Sequence, residues 1–311
     1  KPLIILTGPT SVGKTSLSIS LAKRVNGEII SADSMQVYKG MDIGTAKIKP
    51  EEMDGVDHYL IDELEPDEEF SVVRFQQLAN YYMEHIYAKG KIPILVGGTG
   101  FYIQAVLYDI DFAENDADSA YREYLYRLSE EHGSEYLHQL LKEQDPESAA
   151  AIHPNNVKRV IRALEYIKLT GERISEHNRQ QRSKSSPYNF CYFVLNKDRA
   201  ALYDSINKRV DKMIEEGLLD EVKSLKAAGF SRDLVSMQGL GYKELLAYLE
   251  GECSLEEAID ILKRDTRHFA KRQITWFKRE KDVTWINKDD FATEEELLSY
   301  MLEILRSRSI I

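Results

Sequence analysis

The chain has 311 residues, 43% of them hydrophobic and 30% charged, which is typical of a folded globular protein of about two domains. No apolar run approaches the roughly 18–20 residues that a membrane span requires, and two cysteines, Cys191 and Cys253, are too few for a disulfide framework or a zinc finger. We therefore exclude a membrane protein, a secreted disulfide scaffold and a fibre, and expect a protein of the reducing cytoplasm.

The charge is acidic overall but unevenly distributed. Lys and Arg number 41 against 52 Asp and Glu, a net charge of −11, which argues against a general nucleic-acid coat. Residues 51–69 hold ten acidic side chains and no Lys or Arg, whereas residues 158–184 and 263–281 carry net charges of +5 and +6. Each basic run is compatible with a solvated helix face or with a phosphate-binding patch, and charge alone does not decide between them.

The first third of the chain alternates predicted strands and helices. Apolar runs at residues 3–7, 28–31 and 92–96 are typical of buried parallel strands. Apolar residues recur every three or four positions over residues 16–25 and 71–88, which predicts two amphipathic helices. Strands and helices in alternation predict a parallel α/β core.

The pattern changes near Asp111. Residues 111–170 have a helix-forming composition, residues 179–187 are polar and loop-like, and residues 190–195 are again typical of a core strand. The remainder is predicted to be helical, apart from a last strand at 283–286. A helical block between strands indicates an insertion, so we predict a core of residues 1–112 and 188–311 and an inserted all-helical domain of residues 113–187.

The clearest motif is a phosphate-binding loop at residues 8–15. Its sequence, Gly-Pro-Thr-Ser-Val-Gly-Lys-Thr, matches G-x-x-x-x-G-K-[ST] and lies between a predicted strand and a predicted helix. In such a loop the backbone N–H groups surround an anion, Lys14 adds a positive charge, and Thr15 offers a hydroxyl to a Mg²⁺ ion that bridges phosphate oxygens. The sequence therefore predicts a diphosphate or triphosphate site in a P-loop NTPase-like core.

A carboxylate follows the second predicted strand, where a ligand crevice is expected. Kinases and NTPases usually place an acidic magnesium ligand after another strand, but the strand at 92–96 is followed by Gly97-Gly98-Thr99. Asp33 lies at the end of the second strand, and a carboxylate at that edge of a parallel sheet points into the crevice. An Asp in this position is also compatible with a turn or a helix cap.

Seven segments together resemble the bacterial tRNA dimethylallyltransferase (tRNA isopentenyltransferase) family. They are residues 8–15, 31–47, 96–102, 155–165, 209–217, 238–244 and 271–277, collinear over nearly the whole chain. The resemblance implies transfer of a dimethylallyl group from dimethylallyl diphosphate to N6 of the adenosine just 3′ of the anticodon, in tRNAs that read codons beginning with U. It further implies a cytoplasmic, Mg²⁺-dependent monomer that binds the tRNA anticodon stem-loop.

The resemblance also implies roles for individual residues. Asp33 is the expected general base, with Thr99 hydrogen-bonding nearby and Lys14 stabilising the leaving group. The expected diphosphate ligands are Gly8, Thr10, Ser11, Val12, Gly13, Lys14, Thr15 and Arg209, and Thr15 is the expected metal ligand. The expected tRNA-binding residues are Asp33, Ser34, Met35, Gln36, Lys158, Arg159, Val160, Ile161, Arg162, Gln238, Gly239, Gly241, Tyr242, Lys243, Lys271, Arg272 and Gln273. On the residues alone, a surface position for Arg209 and core packing for Met35 stay open.

Three other functions stay open at this point. The phosphate-binding loop also permits a small-molecule or nucleoside monophosphate kinase, an adenylate isopentenyltransferase that acts on free nucleotide, or a regulatory nucleotide-binding module without chemistry. The basic runs argue against the first two, because neither enzyme needs to bind tRNA. The combination of Lys14, Thr15, Asp33 and Thr99 argues against the third.

Overall fold

The computed structural model describes residues 1–112 and 119–311. This part of the chain divides into two compact units, Lys1–Leu107 with Pro187–Ile311 and Tyr108–Ser186. The division predicted from the sequence falls at 112/113 and 187/188, and residue 113, the predicted start of the insertion, lies outside the described residues.

Among the described residues of the first unit, six strands form one parallel sheet in the order β3-β2-β4-β1-β5-β6. The strands are β1 (Pro2–Thr7), β2 (Gly27–Ser31), β3 (His58–Tyr59), β4 (Ile92–Gly97), β5 (Asn189–Asn196) and β6 (Val283–Asn287). Because all pairings are parallel, the carboxyl ends of the strands meet at one edge of the sheet, and the loops that leave this edge lie close together.

Thirteen α-helices lie in the described ranges. They are α1 (Lys14–Val25), α2 (Val72–Ala88), α3 (Gly100–Leu107), α4 (Ser119–His132), α5 (Ser134–Gln144), α6 (Pro146–Ala151), α7 (Val157–Thr170), α8 (Ile174–Ser183), α9 (Arg199–Glu215), α10 (Leu218–Ala227), α11 (Tyr242–Leu249), α12 (Leu255–Phe277) and α13 (Glu294–Ser307). Helices α4–α8 belong to the second unit and all others to the first. None of the described helices combines the length and apolar character that crossing a bilayer requires.

The predicted fold class is confirmed: a parallel sheet core flanked by helices, with an all-helical insertion. The predicted strands and the two predicted helices appear with their ends shifted by one or two residues. The two-residue edge strand β3, which pairs with Ile29 and Ile30 of β2, was not predicted from the sequence. A strand this short has no alternation to detect, and it lies within the acidic run.

Apolar burial explains the core of the first unit. Residues 3–6 of β1 are completely buried because β1 lies inside the sheet and helices cover both faces. Helix α1 packs Leu17, Leu21 and Val25 against the sheet. This packing fixes both ends of the loop between β1 and α1, which carries the phosphate-binding motif.

The helical unit has a separate hydrophobic core. Leu125 of α4, Leu137 and Leu141 of α5, and Leu164 of α7 are buried together. Asp145 connects its helices, since its carboxylate accepts hydrogen bonds from Ser148 and from the backbone N–H of Ser175. The unit therefore has the internal packing of a folded domain.

Candidate active site

The loop between β1 and α1 has the backbone of an anion-binding site. Gly13, at φ +87°, caps α1 without a side-chain hydrogen bond, so no capping side chain satisfies the first N–H groups of the helix. A Cβ atom at Gly8 would lie 2.4 Å from the carbonyl oxygen of Leu195, so only glycine fits against β5. Within the described structure, Ser11 Oγ is buried and has no hydrogen-bond partner. Unsatisfied donors of this kind favour a bound anion.

Two cations lie against this loop. Lys14 Nζ donates hydrogen bonds to the carbonyl oxygens of Gly8 (2.9 Å) and Pro9 (2.8 Å), and Arg209 of α9 donates one to Thr10 Oγ1 (3.2 Å). Arg209 is half-buried, which excludes the surface position that the sequence left open. The structure thus places Lys14 and Arg209, both predicted to bind diphosphate, against the same loop, although they are far apart in sequence.

The electrostatics of these two cations also indicate an anionic ligand. The pKa of Lys14 is lowered from 10.5 to about 7, first because the ammonium is buried and second because Arg209 lies nearby, while Asp33 acts in the opposite direction. Burial also lowers the pKa of Arg209. Two desolvated cations side by side are unfavourable until an anion joins them, so the site is suited to a diphosphate.

Asp33 follows β2 at the same edge of the sheet as the phosphate-binding loop. Its Oδ1 accepts a hydrogen bond from the Met35 N–H at 2.8 Å, which is the turn interaction that the sequence left open. No described residue donates to its Oδ2. One carboxylate oxygen therefore fixes the turn, and the other is available to accept a proton.

Thr99 is held next to this turn by the backbone. The Thr99 N–H donates to the Ala32 carbonyl at 3.2 Å, and a Cβ atom at Gly97 would lie 2.2 Å from the same oxygen. Glycine at position 97 therefore permits the close approach of the ends of β2 and β4. As a result, Asp33 and Thr99 leave the sheet on neighbouring strands.

The segment after Asp33 is fixed by internal hydrogen bonds. Glu221 of α10 accepts hydrogen bonds from the backbone N–H groups of residues 42, 43 and 44, at 2.8–3.2 Å. The Gln36 amide accepts from Ser31 Oγ at 2.9 Å and donates to the Thr45 carbonyl at 3.2 Å. Ser34 and Met35 are half-buried, and Met35 Cε packs closely against Gly239. These contacts join two of the segments that were predicted to bind tRNA.

Helix α12 presents a basic surface to solvent. Lys271 and Arg272 are exposed, and the guanidinium of Arg272 lies 5.8 Å from the centre of the Phe269 ring. They line a groove of about 470 Å³ together with His268, Thr275, Trp276 and Arg279.

In the helical unit, Lys158, Arg159 and Arg162 of α7 are exposed as well. Basic side chains with interleaved aromatic rings are suited to an RNA backbone and unstacked bases.

Four residues predicted to bind tRNA have buried side chains in this structure. Val160 and Ile161 are 0% and 2% exposed because they occupy the inner face of α7, between the exposed basic positions. Tyr242 is 0% exposed, and its hydroxyl donates to Glu221 at 2.6 Å. Gln273 is 6% exposed and faces inward from α12. The structure does not bring these four side chains to the surface, and of residues 238–243 only Gln238 and Lys243 present polar side chains near it.

Lys288, which was not predicted from the sequence, also reaches the phosphate-binding loop. Its Nζ lies 2.8 Å from the position that a Cβ atom of Gly13 would occupy, so a third ammonium or guanidinium group reaches the loop. Lys288 directly follows β6, whose carboxyl end lies at the same edge as that of β1. The parallel order of the strands is the signal from which this residue was predictable.

The donor set at the loop fits a magnesium ion that takes most of its ligands from phosphate and water. The described residues contain no group of three or more His, Cys, Asp or Glu side chains able to hold a metal. Thr15 is exposed at the start of α1, where its hydroxyl is free to serve as a ligand. Mg²⁺ usually keeps several waters and takes few protein ligands beside substrate phosphates, so the Thr15 hydroxyl is compatible with such an ion.

Comparisons with known sequences find similar proteins over nearly the whole chain. A family model described as IPP transferase matches residues 36–280. A tRNA dimethylallyltransferase of Lachnoclostridium phytofermentans is 64% identical over 311 residues, covering 100% of this chain and 99% of the relative. A tRNA dimethylallyltransferase of Acetivibrio thermocellus is 53% identical over 296 residues, covering 95% of each chain.

Solved structures are similar over the same length. The tRNA isopentenylpyrophosphate transferase of Bacillus halodurans is 49% identical with a TM-score of 0.73, covering 99% of this chain and 98% of the other. A eukaryotic dimethylallyltransferase acting on tRNA is 30% identical with a TM-score of 0.85, covering 99% of this chain and 80% of the other.

Proposed function

The chain belongs to the IPP transferase family, and from this premise we propose that it transfers a dimethylallyl group from dimethylallyl diphosphate to N6 of the adenosine just 3′ of the anticodon. The proposed substrates are tRNAs that read codons beginning with U, bound as an anticodon stem-loop by a cytoplasmic monomer. The observation that carries the proposal is the pairing of Lys14 and Arg209 beside the phosphate-binding loop, with Asp33 at the same edge of the sheet.

The chemistry requires a good leaving group, because the adenine N6 lone pair is delocalised into the ring and is a poor nucleophile. The bond between the allylic carbon and the diphosphate oxygen breaks, which leaves positive charge on carbon and negative charge on oxygen. The loop N–H groups, Lys14 and Arg209 stabilise that negative charge as it develops, and each such donor contributes a few kcal/mol. Lys288 adds a further positive charge near Gly13.

The same step requires a proton acceptor. As the N6–carbon bond forms, N6 loses a proton, which Asp33 Oδ2 accepts while Oδ1 remains bonded to the Met35 N–H. Thr99, held beside the Asp33 turn, would hydrogen-bond in the same channel. The adenine must leave its stack to reach these residues, and Ser34 and Met35 would line the pocket that receives it.

We further propose Mg²⁺ as the cofactor. Thr15 would be its protein ligand, and the bound ion would neutralise charge on the diphosphate and so favour its departure. The residues of the chain would bind the diphosphate, orient the donor and remove the proton.

A comparison of acceptor substrates tests the proposed function directly. Incubation with labelled dimethylallyl diphosphate, Mg²⁺ and tRNA should label the tRNA, whereas free AMP as acceptor should remain unlabelled. A parallel incubation with labelled ATP and small acceptors should give no phosphoryl transfer. Labelled AMP would instead support an isopentenyltransferase of free nucleotide, and phosphoryl transfer would support a kinase.

Arg272→Ala should weaken tRNA binding about tenfold or more at low salt and leave pyrophosphate affinity unchanged. Arg272 is exposed in the basic groove of α12, where it would contact phosphates of the RNA. Filter binding of tRNA and calorimetry with pyrophosphate measure the two affinities. Arg306→Ala, which removes an exposed arginine from α13, is the matched control and should bind tRNA normally. Equal tRNA affinity in both variants would remove Arg272 from the RNA surface.

Pyrophosphate binding should depend on pH through Lys14. In the free protein Lys14 is mainly neutral above a pH of about 7, because its pKa is lowered to about 7. A bound anion stabilises the ammonium, so binding above this pH takes up a proton and the affinity falls by up to about tenfold per pH unit. Titrations between pH 6 and pH 9 with wild type and Lys14→Met isolate this effect, since the protonation of pyrophosphate is common to both. Parallel pH profiles for the two proteins would show that Lys14 does not titrate in this range.

A further inference from the structure

Gln273 connects the two loops of the candidate site to helix α12. Its Oε1 accepts a hydrogen bond from the Thr10 N–H at 2.9 Å, and its Nε2 donates one to the Gly98 carbonyl at 3.1 Å. Thr10 belongs to the phosphate-binding loop, and Gly98 directly precedes Thr99. One buried amide therefore contacts the loop that would hold the leaving group and the loop that carries a residue of the acceptor channel.

The loop after β4 lies close against this amide and its neighbour on α12. A Cβ atom at Gly98 would lie 2.1 Å from Gln273 Nε2, so the loop after β4 approaches the amide as closely as a glycine allows. Three residues further along α12, the Trp276 indole lies against Gly100, where a Cβ atom would be only 2.2 Å away. Both contacts depend on glycine, and both hold α12 directly against the end of β4.

The two faces of α12 have different partners at this point. Lys271 and Arg272 are exposed in the basic groove, whereas the adjacent Gln273 is 6% exposed and hydrogen-bonded to the two loops. Helix α12 is one continuous helix of 23 residues, so a shift of its outer face moves the inner face with it. A ligand on the outer face and an anion in the loop would therefore both act on the hydrogen bonds that Gln273 forms.

We propose that Gln273 is a positioning residue that couples tRNA binding on α12 to occupation of the phosphate-binding loop. The proposal rests on the proposed function, since it takes the outer face of α12 as the RNA surface. RNA that fixes α12 fixes the Thr10 N–H and the Thr99 loop in the geometry that binds diphosphate. By thermodynamic reciprocity, diphosphate in the loop tightens tRNA binding by the same factor.

The test is a binding cycle with inorganic pyrophosphate as the probe. The dissociation constant of tRNA is measured with Mg²⁺, with and without saturating pyrophosphate, for wild type, Gln273→Met and Thr266→Val. Methionine matches glutamine in length but makes neither hydrogen bond. Thr266→Val is the matched control, because it removes only the hydrogen bond from Thr266 Oγ1 to the Leu262 carbonyl within the same helix.

Pyrophosphate should tighten tRNA binding about fivefold or more in wild type and in Thr266→Val, and less than about twofold in Gln273→Met. If Gln273 had a purely structural role, its replacement would lower the stability of the protein or its affinities for tRNA and pyrophosphate. Pyrophosphate would still tighten tRNA binding by the wild-type factor. Equal ratios in wild type and Gln273→Met would overturn the proposal, as would a wild type that binds both ligands without coupling. A wild type that binds neither ligand would instead overturn the proposed function.

A second variant covers the case in which Gln273→Met does not fold. Gln273→Glu keeps an acceptor for the Thr10 N–H but has no donor for the Gly98 carbonyl, so the link to the Thr99 loop is broken. The negative charge of Glu is expected to weaken pyrophosphate binding. This loss does not affect the comparison, because the tRNA dissociation constant is measured without pyrophosphate and with saturating pyrophosphate for the same variant. The ratio should again fall below about twofold, and a ratio equal to that of wild type would contradict the proposal.

Discussion

Asp33→Asn should lower the single-turnover rate of dimethylallyl transfer by about 10²–10⁴-fold and change tRNA affinity little. Asparagine has the same shape, and its side-chain oxygen can still accept the Met35 N–H, so the turn after β2 is retained. What it lacks is a second carboxylate oxygen able to take the N6 proton. Rapid mixing of an excess of enzyme with tRNA and labelled dimethylallyl diphosphate measures the chemical step.

Asp67→Asn is the matched control for this variant. Asp67 is an exposed acid in the acidic run at 51–69, so the same change of charge there should leave the rate at the wild-type value. If Asp33→Asn transferred the dimethylallyl group as fast as this control, Asp33 would not be the base, and proton removal would require another acceptor.

Lys14→Met should reduce the single-turnover rate by about 10²–10³-fold, because an ammonium that stabilises the departing oxygen is lost from a water-poor site. The rate loss should persist at saturating donor, since the charge on the leaving group is greatest in the transition state. Methionine keeps an unbranched, flexible side chain that is one heavy atom shorter than lysine and carries no charge. The measurement is the transfer rate as a function of dimethylallyl diphosphate concentration.

Lys223→Met provides the comparison, since Lys223 is an exposed lysine of α10 that pairs only with Asp220 among the described residues. It should transfer at the wild-type rate. A Lys14→Met enzyme that recovered full rate at high donor concentration would show that Lys14 contributes only to ground-state binding.

The architecture was predictable because its signals are local. A fully buried strand such as β1 is a short apolar run, and the motif at residues 8–15 combines glycines, Lys14 and Thr15 within one turn of chain. The parallel order of the sheet then accounts for Asp33 near this loop, because the ends of β1 and β2 lie at one edge. The resemblance added Arg209, which no local pattern connects to the loop.

The burial of several residues that were predicted to bind tRNA depends on which face of their helix points inward. The resemblance assigned contiguous stretches to tRNA, but α7 turns Val160 and Ile161 into the core between exposed basic residues. The same applies to Gln273, whose polar side chain resembles a surface residue in the sequence but is hydrogen-bonded in the interior. The helical period predicts which residues alternate between the buried and the exposed face of a helix. It does not predict that a buried amide is hydrogen-bonded to two loops that are distant in sequence.

Mass analysis of tRNA nucleosides is the most direct test of the proposed reaction. Unmodified tRNA is incubated with wild-type protein, Mg²⁺ and dimethylallyl diphosphate, digested to nucleosides and compared with tRNA treated with Asp33→Asn. We expect N6-dimethylallyladenosine among the nucleosides, with one pyrophosphate released per modified nucleoside and almost none of either product from the variant. Pyrophosphate release without any modified adenosine, or equal modification by the two proteins, would contradict a phosphate-binding loop that releases the leaving group while Asp33 deprotonates the amine.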